Sequence, residues 1–215
     1  MATRRRIGAT DSKSRSHLLD VAEQMMLEEG YAAVTSRKLG RRAEVSPQLV
    51  HYYFRTMDEL FVEVFRRRAE ESLQRIAEAL EEDASLTSVW ELTSHPFGAR
   101  FNLEFAALAN HRKAIRTEIA AYAERFRRLQ FDAVASRLAA LGIPEEVCPP
   151  NVLLLAMTGL AQIMSIERSF GFTTGHDEAS DYVRDLLERV ERGEVRGAAA
   201  AGGDPAPAPP RRAAR

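Results

Sequence analysis

The stretch TSRKLGRRAEVSPQLVHYYF, residues 35–54, decides how this chain is read. Thr35 is suited to cap a helix, because its hydroxyl can accept one of the backbone N–H groups left unpaired at a helix start. Leu39 and Ala43 then recur four residues apart on one face, which predicts a short helix from about Ser36 to Ala43. Ser46 is a second cap, and Pro47 fits the first position of the next helix, where a missing N–H costs nothing. That helix carries Val50 and Phe54 on its inner side. Only Glu44 and Val45 separate the two, which forces a sharp reversal and gives the spacing of a helix-turn-helix.

With Val50 and Phe54 facing inward, Pro47, Gln48, His51 and Tyr52 point outward. Those side chains suit base edges and phosphates, and Arg37, Arg41 and Arg42 add positive charge on the preceding helix. The plainer alternative is an ordinary surface helix of a helical protein.

Leu18, Leu19, Val21, Ala22, Met25, Met26, Gly30 and Tyr31 precede this segment, and Asp58, Glu59 and Leu60 follow it. Taken together, about residues 14–61 resemble the N-terminal domain of the tetracycline-repressor (TetR) family of transcriptional regulators. The glycine, the capping threonine, the Val-Ser step and the Tyr-Phe pair keep that family's spacing. Three positions depart from it: Glu44 stands where glycine is usual, His51 where tyrosine is common, and Met57 where a lysine often opens the next helix. The resemblance implies DNA binding here and an effector held in a second, divergent domain.

Charge divides in the same sense. Residues 1–57 hold ten Lys and Arg against six Asp and Glu, a balance of +4, while the remainder carries −5. Positive charge thus sits at the end expected to meet phosphate. Cys148 is the only cysteine, so an internal disulfide or thiolate metal site within one chain is excluded. With a basic start but no apolar signal core after it, the chain is expected in the cytoplasm.

In order, residues 1–12 read as a loose arm whose Arg4, Arg5 and Arg6 reach a minor groove, lie along phosphates, or simply solubilise the end. A helix is expected from about Ser14 to Glu29, closed by Gly30. Leu60, Phe61, Val64, Phe65, Leu73, Ile76 and Leu80 predict one long helix from Asp58 to about Glu82, a lever leaving the first domain without a break. Further helices are expected near 86–93, 97–110, 111–141, 151–170 and 177–192. The fold class is therefore all-α, an N-terminal three-helix helix-turn-helix domain plus a C-terminal helical bundle, about nine helices in total. Its divisions are 1–57 for arm and DNA-binding domain, 58–196 for ligand binding and dimerisation, and 197–215 for an Ala/Pro/Arg tail unable to form a core.

The helix of residues 151–170 is apolar nearly all round, but Thr158, Gln162 and Glu167 interrupt it too early for a membrane span, so no membrane partner is expected. It reads instead as a helix covered on both sides. Leu153, Leu160, Met164, Tyr182, Leu186 and Val190 are the expected homodimer contacts, on two helices from each subunit. Helices crowded with Phe and Met and broken by proline and glycine leave room for a small apolar effector. Trp90, Phe97, Phe101, Phe105, Tyr122, Phe126 and Met157 are its expected wall, with Asn102, Thr158 and Gln162 to orient it. The phenylalanine stripe reads equally as plain core.

No glycine-rich phosphate loop, Gly-x-Ser-x-Gly elbow or His-Glu-x-x-His is present, and the five histidines are scattered, so no catalysis, cofactor or metal is expected. The expected activity is a dimeric repressor of a palindromic operator, released by its effector. Arg37 is matched to a guanine edge, Gln48 to adenine and Leu49 to a thymine methyl; Thr35, Ser36, Tyr52, Tyr53 and Arg55 are matched to phosphates, and His51 to either. The alternative is an effector-independent or architectural DNA-binding protein whose second domain only dimerises.

Overall fold

The computed structural model describes residues 9–94 and 99–194. They form nine α-helices and no strand: α1 Ala9–Glu29, α2 Ser36–Arg42, α3 Pro47–Tyr53, α4 Met57–Glu82, α5 Leu86–Ser94, α6 Ala99–Ala109, α7 Lys113–Ala140, α8 Pro150–Ser169 and α9 His176–Glu191. Residues 1–8, Phe97 and the tail from 195 onward, with Arg4 to Arg6 among them, lie outside the described residues.

The helix starts follow from capping. The hydroxyl of Thr35 accepts from Lys38 N at 3.3 Å, Ser46 from Leu49 N at 3.2 Å and Thr56 from Glu59 N at 3.1 Å. At α4 the carboxylate of Glu59 also accepts from Arg55 N at 2.8 Å, so an orphan donor on each side of the cap is satisfied. The Thr56 cap was not expected, and it moves the start of α4 to Met57. Two boundaries differ further. α1 begins at Ala9 rather than Ser14, because apolar periodicity records only apolar positions and nothing in the sequence of residues 9–13 breaks a helix. Between Gly30 and the Thr35 cap, Tyr31–Ala33 form an unexpected 3-10 turn.

Two cores hold the chain. Leu18, Ala22, Met25 and Met26 of α1, Leu39 and Val50 of α2 and α3, and Leu60, Phe61 and Val64 of α4 pack with Phe101, Phe105 and Leu108 of α6 and Ile115 of α7. This first core is continuous across residue 57, so the helix-turn-helix rests directly on the rest of the molecule. Arg67 reinforces the seam, donating to Asp20 at 2.6 Å and Glu23 at 2.9 Å. The second core joins Leu86, Val89 and Trp90 of α5, Val134 and Leu138 of α7, Leu154, Met157, Ala161 and Met164 of α8 and Leu187 of α9. Glu191 closes it, accepting from Leu86 N at 2.7 Å and pairing with Arg137.

Among the described residues α8 is the one helix long and apolar enough to cross a membrane by length and composition. Its inner face fills the second core, while Val152, Leu155 and Ile163 are exposed on the other side.

Candidate nucleic-acid interface and interior cavity

The turn between α2 and α3 is tight. Glu44 adopts φ 57°, the left-handed region that an L residue enters at a cost. A Cβ on Gly40 would lie 2.9 Å from Val45 O and 3.3 Å from Pro47 N. Glycine at 40 is what lets the two helices approach this closely.

On the outward side of this support Gln48 and His51 are exposed, and Tyr52 is 58% exposed. Thr35, Arg37 and Arg55 are exposed as well, while Ser36, Pro47 and Leu49 are half-buried. Tyr53 is half-buried too, packs on the first core, and meets Tyr52 edge-on at 5.1 Å. Arg42 differs from the expectation. It pairs with Glu28 and, at 2.9 Å, with Glu29 at the end of α1, so its charge is spent inside the domain. Arg37, Lys38 and Arg41 are exposed and carry no ion pair among the described residues. Lys38 was not among the expected contacts, although its place beside Arg37 on a polar face was readable.

A cavity of about 480 Å³ opens between α4, α5, α6, α7 and α8. Phe101, Asn102, Phe105, Tyr122, Phe126, Thr158 and Gln162 line it, and Phe65, Arg68, Thr93, Arg127 and Gln130 join them. Trp90 and Met157 do not. Both point into the second core, at 0% and 4% exposure, because α5 and α8 turn these residues toward one another and away from the gap. The hydroxyl of Tyr122 is aimed out of the cavity, donating to Glu70 at 2.6 Å, and Arg125 grips the same carboxylate at 2.6 and 2.9 Å. Hydrogen bonds from Arg125 and then Tyr122 hold the Glu70 carboxyl down at about 2. Gln130 donates to Thr93 Oγ1 at 3.0 Å, tying α7 to α5 across the cavity floor.

From the neighbouring face of α6, Glu104 accepts from Tyr31 N at 2.8 Å. The helix that walls the cavity thus grips the turn leading into α2. Sequence reasoning missed Glu104, since a lone acid between Leu103 and Phe105 gives no local signal of a partner 73 residues away.

The expected dimer contacts divide. Tyr182 is 68% exposed, whereas Met164 is 6% exposed and Leu153, Leu160, Leu186 and Val190 are half-buried. The reason is helical phase: Leu154, Met157, Ala161 and Met164 face the second core, which turns Val152, Leu155, Gly159 and Ile163 outward.

Residues 18–64 match the family of bacterial regulatory proteins described as tetR. The N-terminal segment is a TetR-family DNA-binding domain. The described residues have the fold of solved structures of TetR regulators. A TetR transcription regulator from Haloarcula marismortui superposes with TM-score 0.66 at 16% identity, over 85% of this chain and 98% of that one. Escherichia coli NemR in its reduced form gives 0.59 at 20% identity, over 84% and 95%. A protein from Saccharomonospora viridis described as a transcriptional regulator, in complex with choline, gives 0.66 at 17%, over 82% and 94%. No curated protein matches the chain.

Proposed function

We propose that this TetR-type chain is a cytoplasmic, dimeric repressor that reads a two-fold operator and releases it when a small molecule enters the cavity. The observation that carries the reading is the face of α3: Gln48, His51 and Tyr52 are solvent-facing, set on a helix fixed by caps and by the Gly40 contact, beside unpaired cations of α2. Arg37, Gln48 and Leu49 suit base edges; Thr35, Ser36, Tyr52 and Arg55 suit the backbone; Pro47 starts the helix whose N-terminus faces phosphate, and His51 serves either.

Two features support ligand control. The cavity lies within one subunit, which favours an effector over a second domain that only dimerises, and one similar structure holds choline in complex. α4 also carries Phe65, Arg68, Ala69, Ser72 and Ile76 on the cavity wall and Leu60, Phe61 and Val64 under the helix-turn-helix. With Glu104 on α6, it gives the ligand a physical route to the spacing of two reading heads. An effector that binds both spacings equally would shift nothing.

Dimerisation through α8 and α9 is supported by the exposed Val152, Leu155, Ile163 and Tyr182, an apolar surface around Gly159, whose added Cβ would meet nothing within 4 Å.

The test is a gel shift of the full chain on DNA from upstream of its own reading frame, beside a scrambled duplex. The upstream fragment is expected to bind preferentially, and Gln48→Ala to lose about 1–3 kcal/mol of that discrimination. Equal binding of both fragments by the unaltered chain would overturn the reading.

A further inference from the structure

Two arginines, Arg68 and Arg127, line the cavity, and among the described residues no Asp, Glu, Lys or His lines it. Arg68 is partly answered: its Nη1 lies 3.5 Å from Glu23, and its guanidinium sits 6.0 Å from the Phe101 ring centre. Arg127 is not. It is half-buried, at the border between the main cavity and a smaller depression formed with Glu124, Arg128, Phe131 and Asn151, and it makes no ion pair or hydrogen bond within the described residues. A cation removed from part of its water and given no counter-charge raises the free energy of the empty protein. The Thr158 hydroxyl on the same wall is buried without a hydrogen-bond partner. Most of the remaining surface is apolar, Phe65, Phe101, Phe105 and Phe126 among it, and neutral polar groups such as Asn102 and Gln162 make up the rest.

We infer that the cavity is built for an amphipathic organic anion, whose carboxylate pairs with Arg127 while its apolar body lies on the phenylalanine wall. This rests on the reading of the cavity as an effector site and names the chemical class of that effector. A charged head answers what the empty site leaves unpaired: Arg127 offers a planar fork to a carboxylate, and Arg68 adds positive potential from α4. A neutral compound of the same body leaves Arg127 unanswered, and a quaternary ammonium is repelled by both guanidinium groups.

The test uses the full chain and two sets of matched probes, dodecanoate, dodecan-1-ol and dodecyltrimethylammonium, then 2-naphthoate, 2-naphthol and a naphthyl trimethylammonium. Direct binding is measured by calorimetry, with the monomeric probes below their aggregation limits. In at least one set the carboxylate is expected to bind most tightly. Arg127→Gln is expected to lower that affinity about 10- to 100-fold, the range for a hydrogen bond to a charged group. It should do so without lowering the melting temperature of the ligand-free protein, because Arg127 holds nothing in place there; a purely structural role would lower it. Neutral or cationic probes that bind as tightly as the carboxylate, or an Arg127→Gln variant of unchanged affinity, would overturn the anion assignment while leaving an effector site standing. No binding by any of the six would overturn the effector site itself.

Discussion

At the scale of single residues, the turn of the reading head is where packing is tightest. Gly40→Ala drives a methyl group against backbone that cannot swing aside, Val45 O at 2.9 Å, and is expected to cost about 1–3 kcal/mol in urea denaturation. An unchanged midpoint would show that the two helices have slack. Glu70 gives a prediction in pH. Its carboxyl is lowered from 4.5 to about 2 by Arg125 and Tyr122, so the stabilisation it contributes is complete above about pH 4.5 and is lost as pH falls through about 2. The stability difference between the unaltered chain and Glu70→Gln should therefore be constant at neutral pH and shrink on acidification; a difference that grew as pH fell would contradict the ion-pair account. The sharp reversal at Glu44 and Val45 was legible from their number alone, whereas the left-handed φ of Glu44 emerged only with the backbone. The neutralisation of Arg42 was not: its partners Glu28 and Glu29 belong to a different helix, and one sequence gives charge without pairing.

Among the elements, α6 joins the two halves of the account. One side of it walls the cavity and Glu104 on it accepts from Tyr31 N, a donor with no other partner in the turn before α2. Glu104→Ala leaves that half-buried N–H unsatisfied and is expected to lower stability by about 1–3 kcal/mol, read by urea denaturation. No change would mean that α6 does not brace the reading head. The helices themselves were largely legible, since hydrophobic spacing fixes phase and caps fix starts; the Thr56 cap and the first residues of α1 were missed, being polar positions that apolar periodicity does not record. Cavity residues were half-legible. Phe101, Phe105, Tyr122 and Phe126 follow from helical phase, whereas Trp90 and Met157 were assigned to the wall by residue type, and only the relative placing of α5 and α8 shows that they fill the second core. Arg127, the residue on which effector class turns, carries no sequence signal among the many arginines of α7.

For the molecule as a whole, the proposed pairing on DNA is tested at the apolar surface of α8 and at the cations of α2. Leu155 is 64% exposed beside Gly159, so Leu155→Glu should leave the fold intact and yield monomers by light scattering. A dimer that survives this change would place the interface elsewhere. The most direct test of the proposed DNA-binding surface is the salt dependence of DNA affinity, measured for the full chain on its upstream DNA and for a Lys38→Gln, Arg41→Gln variant. Phosphate contacts release counterions, so log affinity should fall linearly with log salt, by roughly 0.9 per neutralised phosphate, and the slope of the variant should be shallower. An affinity that ignores salt, or a variant slope equal to that of the unaltered chain, would contradict the assignment of α2 and α3 as the surface that meets the duplex.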